Sequence, residues 1–430
     1  MYSYNVKPIF KDPRPDFSLT VSVPGSKSIT NRSLMIAALA DGSSRLTGVL
    51  FSDDSRHFLA CLQDLGFELQ INEALCEVTI QGCGGRIPKP EASINVGSAG
   101  TAARFLTAML GMAGGTYHLD ASEQMRRRPM APLLKAMRSL GCEIRCENEP
   151  DHFPFTISSS GVKASGTQVN IDDSSQFLSA LLMAGVSLGH DFTISVTGSH
   201  GMAYVEMTAE MMRRFGAKVS QPDGNTFVVY GERGYQARDY MIEPDISAAA
   251  YFYGMALLSG GNVLVRGVHS DSLQGDLAVL DAFCRMGCKE KEAPEGIRLY
   301  GPEDALVHGI DIDMHTFSDQ ALTIAAIAPY ADAPVTIRNV AHIRLQECDR
   351  MAAIVTELSR MGIKAEADDK DITIWPGTPG PAQIETYGDH RVAMAFALTG
   401  LRAEGITIQD PLCCRKTIEN YFKILDEICR

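Results

Sequence analysis

Apolar and polar positions along this chain repeat with a period far longer than any single element. Five segments carry an amphipathic-helix pattern that stops at a glycine and runs into alternating, strand-like residues. Those glycines, Gly66, Gly141, Gly216, Gly287 and Gly362, stand 75, 75, 71 and 75 residues apart. A second landmark, a small or acidic residue ahead of an Ala/Leu/Met-rich helix, falls at Ser26, Ser98, Ser174, Ser247, Asp319 and Asp389, at intervals of 72, 76, 73, 72 and 70. Ser and Asp favour the N-cap because their side chains accept from orphan helix N–H groups, and Gly favours the C′ position because it adopts a positive φ without strain. The pattern therefore predicts six units, each reading βαβαββ. Solenoid repeats usually have periods of roughly 20–50 residues, so two lobes of three units fit better than a solenoid.

The sixth unit ends without its closing strands, and the N-terminal stretch Tyr4–Val23 is expected to supply them. The chain then crosses between halves twice, near residues 24 and 244. One lobe is expected to hold 1–23 with 245–430 and both termini, the other 24–244. The fold class is α/β, as an α+β repeat.

The longest nearly unbroken apolar run, Ala248–Leu258, has 11 residues. That is well short of the ~20 a bilayer requires, so no membrane partner is expected. The N-terminus shows neither an export nor a transit pattern, which points to the cytoplasm. With 430 residues, 45% of them hydrophobic and 21% charged, the chain is no disordered or collagen-like protein. A formal charge of −13 argues against nucleic-acid partners, because that affinity comes from Lys and Arg neutralising phosphates. The 11 cysteines include no C-x-x-C pair and no zinc spacing, so they read as reduced core thiols with no metal site.

Any anionic ligand must be held by a local basic cluster working against the overall field. Helix N-termini already favour anions through free N–H groups and the macrodipole. The run PGSKSITNR places Lys27, Ser28 and Arg32 at such a start, Ser28 and Arg32 one turn apart. GSAGT around Gly100 is a glycine-lined turn that backbone or ligand can approach closely, and MRRRP contains Arg128. IDDSSQF clusters Ser174, Ser175 and Gln176. The C-terminal half adds carboxylates at equivalent places: Asp319, Glu347 three residues before Arg350, then Asp389, His390, Arg391 and, further on, Lys416. Basic helix starts in one half and paired carboxylates in the other suggest a cleft that binds two anions and moves protons. The phosphate loop, dinucleotide fingerprint, H-E-x-x-H and G-x-S-x-G motifs are all missing, which removes the usual support for nucleotide hydrolysis, nicotinamide chemistry, zinc proteolysis and serine hydrolysis.

In this order, PGSKSxxNR, GxAGTAxR, RxRP, SSQF, the aspartate at 319, RxxExDR, DHR and a C-terminal KT resemble the 5-enolpyruvylshikimate-3-phosphate synthases, across all six units. The resemblance implies an inside-out arrangement like an α/β barrel, helices inside and sheets outside in each lobe, with the active site in the interlobe cleft. It implies transfer of the enolpyruvyl group of phosphoenolpyruvate to the 5-hydroxyl of shikimate 3-phosphate, with phosphate released and no cofactor. Small anionic substrates would be the only partners, the protein acting as a monomer. Asp319 would be the base for the hydroxyl, Glu347 the proton donor and acceptor at the methylene carbon, and Lys27 the acid for the departing phosphate. Lys27, Ser28, Arg32, Ser174, Ser175, Gln176, Asp319, His342 and Gln346 would contact shikimate 3-phosphate. Lys27, Gly100, Arg128, Gln176, Arg350, Arg391 and Lys416 would contact phosphoenolpyruvate, and retention of Gly100 implies that glyphosate fits that pocket.

Four positions depart from the family pattern. Gln346 stands where a lysine usually contacts the shikimate substrate, and it is expected to face the cleft as a neutral donor, helped by His342 or Arg344. His342 itself replaces a common asparagine, Ser98 another, and either Ser199 or Gly201 falls at a phosphate-binding serine. Two alternatives stay open at this point. The sister transferase acting on UDP-N-acetylglucosamine usually carries a loop cysteine, and Thr116–Arg128 has none. A non-catalytic anion-binding relative draws its only support from Gln346.

Overall fold

The computed structural model describes residues 2–304 and 306–430. They form two compact units, one made of residues up to Pro24 with Glu243–Arg430, the other of Gly25–Ile242.

The second, third and fifth repeats follow the predicted order without interruption, and the second shows the logic. Strands Glu91–Asn95 and Gly115–Asp120 pair in parallel, which requires a crossover, and the helix Gly100–Ala113 supplies it. A second helix, Ala131–Ser139, then leads into the hairpin Glu143–Cys146 and Phe155–Ser159, which adds antiparallel to Gly115–Asp120. Among the described residues there are six sheets, five of four strands and one of three, and all combine one parallel pair with antiparallel neighbours. Strands such as Phe192–Thr197 alternate buried and exposed residues, the signature of a sheet with one wet face.

The first helix of each repeat is different, because it is apolar nearly all round. Gly100–Ala113 buries every residue but the last, Ala321–Ile327 and His390–Gly400 bury all of theirs, and Ile246–Ser259 leaves out only Ser247. Helices of that composition belong at the centre of a unit. In one unit Ile246–Ser259, Ala321–Ile327 and His390–Gly400 pack on one another; in the other Gly100–Ala113 packs on Gln176–Gly185 and Lys27–Leu39. No helix among the described residues is long and apolar enough to cross a membrane.

The N-terminal stretch divides its strands, which corrects the expectation that all of it closes the sixth repeat. Ser3–Asn5 does pair antiparallel with Ile406–Gln409 of that repeat, with Tyr4 opposite Ile408. Ser18–Val21 instead runs parallel to Asn262–Val265 in the fourth. Tyr240–Met241 likewise completes the sheet of Asp41–Thr47 rather than the repeat that follows it. Each crossing thus leaves its last strand in the unit the chain is departing, where it covers a sheet edge that would otherwise be unpaired.

The caps differ in detail from the landmarks. Ser26 caps its helix through Ile29 N, and Asp389 through Arg391 N at 2.8 Å. The fourth helix is capped by Asp245, not Ser247, and Ser98 bonds to Ser122 Oγ while Ala99 takes the cap position. All five repeat glycines have positive φ, from 78° to 115°. The cysteines are free thiols, but only Cys61, Cys142, Cys288 and Cys414 are core residues; the others lie at least partly at the surface.

A Cβ on Gly141 would meet nothing within 4 Å, so Gly141→Ala isolates backbone strain at φ +94°. It should lower stability by about 1–2 kcal/mol in urea unfolding, whereas Gly224→Ala, equally uncrowded and without a positive φ, should stay within about 0.5 kcal/mol.

Candidate active site

Because the central helices are buried along their length, only their N-terminal ends can present chemistry. In the Gly25–Ile242 unit, Lys27 opens the helix Lys27–Leu39, and its Nζ lies 3.6 Å from Asp54 Oδ2. Asp54 is itself buried in the next helix, beside the Ser52–Ser55 capping box. It fixes the direction of the Lys27 ammonium, and nothing in its local sequence marks it out.

Arg32 lies deeper than the sequence suggests. It is 1% exposed and donates to Thr208 Oγ1 at 2.7 Å, the Ser28 carbonyl at 2.9 Å, the Tyr204 carbonyl at 3.2 Å and Ser179 Oγ at 3.5 Å. All these acceptors are neutral, and burial draws its pKa down to about 10. A cation desolvated without a carboxylate raises the local potential around Ser28 at the half-buried helix start.

Gly100 is hemmed in by two guanidiniums: a Cβ there would come within 2.6 Å of Arg128 Nη1 and 2.7 Å of Arg104 Nη1. Arg104 reaches this place from the next turn of the same helix, donating to the Gly100 carbonyl at 3.1 Å and the Pro129 carbonyl at 2.9 Å. It closes the GxAGTAxR motif, but the sequence reading gave it no role; its i+4 spacing from Gly100 was the available signal. Arg128 Nε and the side-chain carbonyl of Gln176 are buried with no hydrogen-bond partner among the described residues. Native proteins satisfy such groups with solvent or a ligand, so both atoms are open to a polar partner. Ser174 Oγ accepts from Gln176 N, and Ser175 is buried beneath Gly201, which takes φ +66° ahead of the helix Met202–Arg214.

In the other unit the carboxylates and arginines converge on Arg350, which is 2% exposed. Its Nε donates to Asp389 Oδ2 at 2.8 Å, Nη1 to Asp319 Oδ1 at 3.1 Å, and Nη2 to Glu347 Oε2 at 2.8 Å. Burial works against the charge, but Asp389, Glu347 and Asp319 together hold the pKa of Arg350 above its usual value. Arg391 grips the second oxygen of Asp319 at 2.9 Å and also donates to Ser247 Oγ. Asp319 therefore sits between two guanidiniums that hold it as a carboxylate, the form able to accept a proton.

Gln346 turns its amide oxygen to Arg350, accepting from Nη1. Arg344 donates to Asp349 and to the Asp368 carbonyl. His342 is close to the site, its Nε2 2.6 Å from Ser318 Oγ, next to Asp319. Lys416 ends the turn Pro411–Lys416, which packs on the His390–Gly400 helix. Among the described residues no cluster of three or more His, Cys, Asp or Glu is arranged to hold a metal ion.

One unit thus presents basic helix starts, and the other a carboxylate–guanidinium network. Residues 12–425 match the family model of EPSP synthase (3-phosphoshikimate 1-carboxyvinyltransferase). The 3-phosphoshikimate 1-carboxyvinyltransferase of Trichormus variabilis is 45% identical over 404 residues, covering 94% of each chain, and that of a Nostoc species is equally identical over 94% of this chain and 95% of its own. The chain belongs to the EPSP synthase family. Among solved structures, EPSP synthase from Acinetobacter baumannii has the same fold, with a TM-score of 0.82, 24% identity and coverage of 100% of this chain and 98% of that one.

Asp389 is wholly buried against Arg350. Asp389→Asn should cost about 3 kcal/mol in urea unfolding, since it leaves a buried cation short of a partner. Asp371→Asn, at the exposed pair with Arg338, should cost under about 1 kcal/mol.

Proposed function

We propose that this chain transfers the enolpyruvyl group of phosphoenolpyruvate to the 5-hydroxyl of shikimate 3-phosphate and releases inorganic phosphate, acting as a cytoplasmic monomer without a cofactor. The observation that carries the reading is the Arg350 network, which holds two reactive carboxylates, Asp319 and Glu347, on one guanidinium. Lys27, Ser28, Arg32 and the Ser174–Ser175–Gln176 cluster would receive shikimate 3-phosphate, with Asp319, His342 and Gln346 contributed by the other unit. Gly100, Arg128 and Lys416 would take the phosphoenolpyruvate phosphate, and Arg350 with Arg391 its carboxylate. The incoming carboxylate then replaces part of the Asp319 contact with Arg391, leaving an oxygen of Asp319 available to the substrate hydroxyl.

In the addition step the hydroxyl oxygen bonds to the phosphate-bearing carbon of phosphoenolpyruvate, its proton passes to Asp319, and Glu347, entering the step protonated, delivers its proton to the methylene carbon. In the elimination step Glu347 removes a proton from the new methyl group, the carbon–oxygen bond to phosphate breaks, and Lys27 protonates the departing phosphate. Positioned proton transfers of this kind contribute ~10²–10⁴-fold each. The arginine and lysine charges would stabilise the anionic groups throughout.

Phosphate release measured with shikimate 3-phosphate and phosphoenolpyruvate tests the reading. Turnover is expected with that pair and not with UDP-N-acetylglucosamine as acceptor; the reverse outcome refutes it. Asp319→Asn and Glu347→Gln should fold normally and lose at least ~10²-fold in turnover. Gly100→Ala should raise the Michaelis constant for phosphoenolpyruvate more than that for shikimate 3-phosphate, because its Cβ displaces the Arg104 and Arg128 guanidiniums.

A further inference from the structure

Behind Asp319 lies a second carboxylate for which the reaction itself has no use. Asp276 is 4% exposed, on the short helical turn Gly275–Ala278, which packs against the turn Ser318–Gln320 that carries Asp319. The two turns are joined by Gln320, fully buried, whose Nε2 donates to Asp276 Oδ1 at 3.1 Å. Thr323 Oγ1 holds the other end of that amide by donating to Gln320 Oε1 at 3.3 Å.

The preceding residues fix Asp276 from the other side. Gln274 caps the Ile246–Ser259 helix by accepting from Ile246 N at 3.0 Å, and its Nε2 donates to the Pro244 carbonyl at 2.8 Å and toward Glu243. The charged groups that bear on Asp276 are Asp319, Arg391 and Asp245, from three separate elements; Glu243 and His342 stand one hydrogen bond further out, on Gln274 and Ser318.

We infer that Asp276 is a positioning residue that sets the proton affinity of Asp319, its buried negative charge opposing the two arginines that would otherwise make Asp319 too weak a base. Arg350 and Arg391 stabilise the carboxylate form of Asp319 and so resist the very protonation that catalysis requires. A like charge held behind it by Gln320 acts in the opposite sense. When the substrate O–H bond breaks and its proton passes to Asp319, Asp276 remains ionised and the repulsion between the two disappears. Consistent with mutual repulsion, burial first and Asp319 second push the Asp276 carboxyl up to about 6. This inference rests on Asp319 being the base, as proposed above.

The test is Asp276→Asn, which keeps the shape and the Gln320 contact and removes the charge. Turnover should fall about 3–10-fold, the acidic limb of the kcat–pH profile should move down by about one pH unit, and both Michaelis constants should hold. A limb that stays in place, or a change confined to the Michaelis constants, overturns the inference. A second readout needs no activity and no variant at 276. In protein labelled with ¹³C at aspartate carboxyls, one buried resonance should titrate near pH 6 and fall by about one unit in Asp319→Asn. A midpoint unmoved by that substitution overturns the coupling. If Asp319→Asn keeps wild-type turnover, the base assignment fails and this inference with it. If Asp319→Asn is inactive while Asp276→Asn leaves the limb unchanged, this inference alone fails.

Discussion

The unit that carries both termini is organised around one charge that water cannot reach. Arg350 is buried to 2% exposure, and a guanidinium in that position is tolerated only because carboxylates from three places in the chain converge on it. Asp389 caps the sixth central helix, Asp319 precedes the fifth, and Glu347 lies one turn before Arg350 itself. The demand for compensation thus ties two helix starts and a loop to one point. Removing the wholly buried Asp389 leaves the cation costly, so the constraint that stabilises the network also holds the reactive groups in register.

That arrangement follows from the repeat. A helix buried on every face cannot offer side chains along its length, and its C-terminal end hands over to a strand. Its N-terminal end is the one place where polar groups meet free N–H donors and a favourable dipole for anions. Repeating the unit therefore multiplies potential anion sites without altering the core. The two units differ at these ends: one carries Lys27, Ser28 and the Gly100 turn, which in the proposed reaction receive phosphate and carboxylate groups, while in the other Asp319 and Asp389 place carboxylates where anions would otherwise sit.

The repeat, its six central helices and most of the candidate site residues were legible because each is a local signal: a glycine after a helix, a small or acidic residue before one, a basic run at a helix start. What the sequence did not disclose are relations between distant positions. Ser18–Val21 reads as a closing strand for the sixth repeat, and only pairing with Asn262–Val265 reveals otherwise. Asp54 and Asp276 carry no motif, because their importance lies in facing Lys27 and Asp319 from other elements. Gln346 stands at the position of a family lysine, and only the fold shows its oxygen accepting from Arg350 one turn on. In each case the missing information was tertiary, and no periodicity encodes it.

The cost of the buried acid Asp276 falls on stability, and its sign can be worked out. A carboxyl whose pKa rises on folding, here from 3.8 to about 6, binds its proton more tightly in the native state. The stability it contributes is therefore fully present below about pH 4 and is lost as pH rises through about 6. At neutral pH Asp276 is ionised and opposes folding, in contrast to exposed carboxylates such as Asp311, which Arg338 holds below the usual range and which support folding down to acidic pH. A structure selected for stability alone would fill the space behind Asp319 with a neutral or apolar group. Instead that space holds a charge, joined through Gln320 to the turn that carries Asp319, and the stability given up there at neutral pH is what a stronger base at Asp319 requires.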